Sequence, residues 1–129
     1  MLKYSRVDYY YMTRASEIIK EEISSWSGVT IHDHRFGGIE FRLNGREMGH
    51  MHGDSIVDLP FPKDVGRRLI AERKAYAHRF VPSSCWISYN MMENGIQGAI
   101  ELFKMQYNRM TSYSKKDTMS IDRTATTIH

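Results

Sequence analysis

The dipeptide Asn44-Gly45, set between two runs of alternating character, constrains this chain more than any other feature. A two-residue hairpin loop of type I′ needs positive φ at both central residues, and Asn-Gly meets that need at little cost. The loop predicts pairing of Leu43 with Arg46, Arg42 with Glu47, Phe41 with Met48 and Ile39 with His50. Arg42 opposite Glu47 is then a favourable cross-strand charge pair. Because side chains alternate along a strand, the same register sets Ile39, Phe41, Met48, His50 and His52 on one face.

Gly53-Asp54 reads as a second two-residue turn, which would set His50 beside Val57 and Met48 beside Leu59. Three strands then share an apolar face made of Ile39, Phe41, Met48, Val57 and Leu59, with both histidines among them. A one-residue slip inverts every side chain of a strand, so this expectation is sharply exposed to the structure.

The flanking elements follow from spacing. Ala15, Ile18, Ile19, Ile23 and Trp26, with Met12 extending the stripe, predict a helix from about Asp8 to Trp26, with Gly28 ending it and Tyr9, Tyr10 and Tyr11 packing at its start. Pro60 and Pro62 stop the sheet, and a helix over Lys63 to Glu72 turns Val65, Leu69 and Ile70 inward. Tyr76, His78 and Phe80 alternate toward Pro82, and Cys85, Ile87 and Tyr89 alternate with Trp86 and Ser88 in a further strand. Asn94 is placed to cap a last helix striped by Ile96, Ile100, Phe103, Tyr107 and Met110. Residues 111–129 are polar with little periodicity and are expected to be a loosely ordered tail. The fold class is α+β: an antiparallel three-stranded meander plus one or two further strands, with N-terminal, middle and C-terminal helices, in the order α-β-β-β-α-β-(β)-α. Residues 1–110 form a single domain in this reading.

Composition bounds the setting. The chain has 129 residues, so one hydrophobic core suffices. A single cysteine, Cys85, excludes an internal disulfide and points to a reducing, cytoplasmic compartment; in its strand it reads as a small buried hydrophobe. No secretory signal and no membrane-spanning run is read, so no membrane partner is expected. The net charge of +3 is mild, but Lys63, Arg67, Arg68, Arg73, Lys74 and Arg79 crowd one stretch. A solvated helix face accounts for such a run, and nucleic acid is the partner it would otherwise serve.

Chemistry concentrates in histidines. His50 and His52 lie two apart on a strand, about 6–7 Å between Cα atoms and on the same side, which suits a shared proton-transfer site or two ligands to one metal. His32 and His34 form a second H-x-H pair, so His32, His34, His50 and His52 are the candidate metal ligands. Neither HExxH nor CxxC occurs, and no metal or other cofactor is assigned from the sequence. The expectation is a small-molecule ligand lying in the apolar layer, with His50 and His52 as its catalytic centre and Phe41, Met48, His78, Trp86, Tyr89 and Arg46 lining it.

The runs HRFGGIEFRLNGREMGHMHGDSIVDLPFPKDV, AHRFVPSSCWISYNM and LFKMQYNRM resemble the small luciferase-domain family of bacteria and archaea over about residues 34–110. The resemblance sets Arg35, Gly37, Gly38, Phe41, Arg46, Glu47, His50, His52, Asp58, Pro60, His78, Pro82, Trp86 and Ser88 on family motif positions. It implies similarity to fungal luciferases, which oxygenate a hydroxylated pyrone without metal or flavin. It also implies a fold similar to the double-wing DNA-binding proteins. Three functions follow as expectations: a cofactor-independent oxygenase acting on a hydroxylated aromatic or pyrone-like compound, a nucleic-acid-binding module, and a metal-dependent enzyme with histidine ligands.

Overall fold

A computed structural model describes residues 14–34, 37–78 and 84–128. Helix α1 spans Ala15–Ser24, followed by strands β1 (Val29–Asp33), β2 (Ile39–Leu43), β3 (Arg46–His52) and β4 (Ile56–Pro60). Helix α2 (Lys63–Ala71), strands β5 (Tyr76–Ala77) and β6 (Trp86–Asn90), a single turn α3 (Met91–Asn94) and the long helix α4 (Ile96–Ile128) complete it. The six strands form one antiparallel sheet in the order β1-β2-β3-β4-β6-β5. The α+β class and the meander are as read from the sequence. Strand β1 is an addition, pairing along the whole of β2 from Val29↔Leu43 to Asp33↔Ile39.

The helices cover one face. Ile19 and Ile23 of α1, Leu69 of α2, and Ile96, Ala99, Leu102 and Phe103 of α4 are buried against Phe41, Leu43, Met51, Val57, Leu59, Ile87 and Tyr89 of the sheet. The backbone N–H of Ser16, an orphan donor in the first turn of α1, is taken by Asp54 Oδ1 at 2.8 Å, which ties that helix to the β3–β4 turn. The helix ends at Ser24, before the expected Trp26, and Gly28 lies in the turn beyond. Asp8 to Met12 of the expected helix lie outside the described residues, as do Arg35, Arg79, Phe80 and Pro82.

Asn44-Gly45 forms the expected hairpin loop, with φ of 52° and 84°, and Leu43↔Arg46 and Arg42↔Glu47 pair as derived. There the derived register stops. The ladder shifts between Arg42 and Phe41, so that Phe41 faces Gly49, Glu40 faces His50 and Ile39 faces Met51. Met48 is the extra residue of a β-bulge. The second turn also holds one residue more than expected: His52 pairs Ile56 across Gly53-Asp54-Ser55, setting Met51 opposite Val57 and His50 opposite Asp58.

The two insertions cancel beyond β3, so Val57 and Leu59 still face the core. Only the short segment between them is inverted. Met51 points into the core at 1% exposure, and His50 and His52 leave it for the other face, on the side of Glu40 and Arg42. This corrects the expected placement of both histidines in the apolar layer.

Two interactions hold the bulge. Gly49 lies so close to β4 and α4 that a Cβ would sit 2.7 Å from the Asp58 carbonyl oxygen and 3.0 Å from Phe103. Gln106, fully buried on α4, donates its Nε2 to the carbonyl of Met48 at 3.0 Å and to that of Pro60 at 2.7 Å.

Other corrections are local. Ile70 is 38% exposed and does not turn inward with Leu69, and Cys85 is half-buried. Asn90 caps the α3 turn, its side chain accepting from the N–H groups of Met92 and Glu93, and Asn94, expected to cap the last helix, is the final residue of that turn. The helix that follows starts at Ile96 after Gly95 and continues to Ile128, through the segment expected to be a loose tail. Once a helix is nucleated by its packed turns, each added residue costs little, so polar residues extend it without a periodic apolar stripe.

Removing the carboxamide in Gln106→Leu leaves the carbonyls of Met48 and Pro60 without that donor and is expected to lower stability by about 1–3 kcal/mol. Gly49→Ala is expected to cost about as much through overpacking. Urea denaturation measures both.

Candidate functional site

The face of the sheet opposite the helices carries an ionisable cluster. Alternation places Glu40 and Arg42 of β2, Glu47, His50 and His52 of β3, Asp58 of β4, and Trp86 and Ser88 of β6 on this side. The turn after β1 brings His34 to them, and the stretch after β5 brings His78. His34 stacks on His50 with ring centroids 4.1 Å apart, the His52 ring lies 4.9 Å from that of His50, and Trp86 closes over His50 at 5.0 Å.

Asp58 is the hub. It is 3% exposed, at the centre of the sheet between β3 and β6. Its Oδ2 lies 3.0 Å from Nε2 of His52, 3.2 Å from Nε2 of His50 and 3.6 Å from Nε2 of His78. Its Oδ1 accepts from the Ser88 hydroxyl. Burial by itself would raise the pKa of this carboxyl, but hydrogen bonds from His50 and Ser88 and the charges of His50 and His78 hold it below the ordinary 3.8. An ionised carboxylate only accepts, so the Nε2 atoms of His50 and His52 that bond it both carry hydrogen.

His50 is held from both sides. Nε2 faces Asp58, and Nδ1 lies 2.8 Å from Oε2 of Glu47. Burial by itself would lower its pKa from 6.5, but the hydrogen bonds to Asp58 and Glu47, with the charges of both carboxylates, outweigh that and push it up to about 9. At neutral pH His50 is therefore an imidazolium donating from both nitrogens. It cannot serve as a base. His52, with a side chain 41% exposed, is the most accessible imidazole of the cluster.

Glu47 is thus part of the site and does not pair with Arg42, which bonds Glu40 through its Nε. Among the described residues, two donor sets converge closely enough to hold a metal ion: His34, Glu47 and His50, and His50, His52 and Asp58. His32 belongs to neither, its Nε2 lying 2.7 Å from the Thr30 hydroxyl on the outer strand.

Of the residues expected to line a ligand, His78 and Trp86 join His50 and His52. Phe41, Met48 and Tyr89 do not: they are core residues on the helix-covered face, with Phe41 against Phe103 at 5.1 Å and the Tyr89 hydroxyl donating to the carbonyls of Asn94 and Gly95. Arg46 is exposed beside the hairpin loop, close enough to Arg109 for its charge to act on that group. Lys63, Arg67, Arg68, Arg73 and Lys74 are exposed on and just after α2, on the helix-covered side of the molecule, with Lys74 paired to Glu72 at 3.3 Å. Asp58 and Ser88 stood on motif positions without an assigned role, and Glu40 was given no role either. The signal that could have found Asp58 is a carboxylate next to core residues in a central strand, which needs several donors around it.

A family model described as Luciferase domain matches residues 45–106. Over this stretch the chain is similar to luciferase domains. The matched stretch runs from the hairpin loop to Gln106 and includes Glu47, His50, His52, Asp58, His78, Trp86 and Ser88, while His34 and Glu40 lie before it. No curated protein and no solved structure matches the chain. Among the described residues, no helix is long and apolar enough to cross a membrane.

The His50 proton links stability to pH. In the folded protein it is held to about pH 9, while an unfolded histidine releases it near 6.5. The stabilisation is complete below about 6.5 and is lost as pH rises through 9, a change of roughly 3 kcal/mol at most. Urea denaturation across that range measures it. In Asp58→Asn the decline should shrink, and the His50 ring signals followed by NMR should titrate at lower pH than in the wild type.

Proposed function

We propose that the luciferase-like domain of this chain binds a hydroxylated aromatic or pyrone-like compound on the histidine face of its sheet, and that it prepares this compound for oxygenation by removing a proton. The observation that carries the reading is the pairing of Asp58 with His52. The buried carboxylate holds Nε2–H at 3.0 Å, while the rest of the ring is the most exposed part of the cluster.

A histidine whose Nε2–H is fixed by a carboxylate presents Nδ1 as a base. The proton of an enol or phenol passes to that nitrogen, and Asp58 stabilises the imidazolium that forms. The ligand is left as an electron-rich anion, the form in which such compounds react with dioxygen, the co-reactant. Trp86 supplies an apolar surface beside the cluster for a flat ring. His50 has both nitrogens engaged by carboxylates, so it contributes charge and rigidity and is not a second base. This assigns unequal roles to the two histidines.

A panel of hydroxylated aromatics and pyrones, scored by thermal shift and by oxygen uptake, tests the reading. A compound present at 100-fold excess over its Kd should stabilise the wild type by about 2.7 kcal/mol. His52→Ala should lose that stabilisation and any oxygen uptake while its own folding stability falls by no more than about 1–2 kcal/mol. A broad panel that shifts nothing, or a shift that survives in His52→Ala, removes the reading.

A further inference from the structure

The histidine face holds more carboxylate than the proton-transfer reading uses. Glu40, Glu47 and Asp58 lie on it together; Arg42 takes Glu40, and His50 stands between Glu47 and Asp58 with one ring nitrogen on each. His34 adds a second imidazole, stacked on His50 at 4.1 Å and tilted by 28°. One ligand atom from each of His34, Glu47 and His50 falls within 4.8 Å of the others.

We propose that His34, Glu47 and His50 bind one divalent first-row metal ion, held through two imidazole nitrogens and one carboxylate oxygen. The donor set contains no thiolate and leaves positions open on the ion, as in sites that take an exogenous oxygen ligand. The far side of His50 is already built for this. With Nδ1 turned to Glu47, its Nε2–H is held by Asp58 at 3.2 Å, the carboxylate-imidazole-metal arrangement that fixes a ligating ring. Glu40 lies near the far nitrogen of His34, with Oε1 3.9 Å from Nε2, beyond hydrogen-bond distance.

The ion takes the place of the single proton between His50 Nδ1 and Glu47 Oε2, and that proton leaves to solvent. The competing set of His50, His52 and Asp58 is less suited. An ion there displaces the hydrogens of both Nε2 atoms and strips the buried Asp58 of two donors. In the site proposed, Asp58 keeps both. Glu47, with a side chain 27% exposed, gives the ion a way in, while His34 and His50 at 11% and 10% shield it.

The inference goes beyond the proposed function. An ion at this place lies beside His52 and supplies what the His50 imidazolium cannot, an open position for the oxygen of the deprotonated ligand.

The test uses the full chain, purified without a histidine tag, stripped with EDTA and titrated with Co²⁺ by absorption, with Zn²⁺ as competitor. The folded wild type should take up one equivalent. His34→Ala and Glu47→Gln should each weaken uptake by about tenfold or more, and Glu47→Asp should recover part of it. His32→Ala and His52→Ala should bind as the wild type does, with circular dichroism confirming that every variant is folded. Absence of saturable uptake by the wild type overturns the proposal. So does uptake lost in His52→Ala but kept in His34→Ala and Glu47→Gln. Repeating the ligand panel in EDTA keeps the outcomes separate, since shifts that survive there support the His52 reading whatever the metal result.

Discussion

The carboxamide of Gln106 determines which way the histidines face. It reaches from the buried side of α4 to the carbonyl of Met48, the extra residue of the bulge in β3, and to that of Pro60 at the end of β4. A bulge leaves a backbone group outside the ladder, and in a dry core that group needs a partner. With the partner supplied, β3 can carry one residue more than β2 along this stretch. Everything after Met48 is then turned over, until the third residue of the Gly53-Asp54-Ser55 turn restores the original alternation. Met51 replaces the histidines in the core, and the histidines replace it on the opposite face.

That inversion resolves a physical conflict. Two imidazoles buried among Phe41, Val57 and Leu59 would need hydrogen-bond partners that an apolar layer does not hold. On the other face they find such partners. Asp58 accepts from His50, His52 and Ser88, and Glu47 accepts from the second nitrogen of His50. Among the described residues, no buried side-chain nitrogen or oxygen lacks a partner. The arrangement also divides labour. A histidine with carboxylates at both nitrogens is fixed and charged, and a histidine with a carboxylate at one nitrogen and an exposed ring is available for chemistry.

Much of the architecture was legible because it rests on local signals. Asn44-Gly45 specified its turn, the stripes of α1 and α4 specified their buried faces, and the alternation of Ile87 and Tyr89 with Trp86 and Ser88 specified strand β6. Strand β1 was missed because Val29–Asp33 carries an exposed polar edge and acquires its identity only by pairing with β2. The site was half legible. His50 and His52 were evident as a pair, but the residues that give them their chemistry are distant in sequence or lie in the inverted register: His34, Glu47, Asp58 and Ser88.

The sequence by itself determined that this chain is an α+β domain built on an antiparallel meander, singled out His50 and His52 as a pair, and showed motifs that resemble those of a luciferase domain. The first two follow from turn chemistry and side-chain alternation, which act between near neighbours, and the last from the likeness of the motifs to a known family. Only the tertiary structure decided the face on which His50 and His52 lie, the protonation of His50 and the meeting of His34 with Glu47. Each depends on a contact made across the fold. The bulge needs Gln106 from a helix 58 residues away, and the charge on His50 needs Asp58 from the neighbouring strand. A register shift of one residue changes no local propensity, yet it exchanges the two faces of a strand.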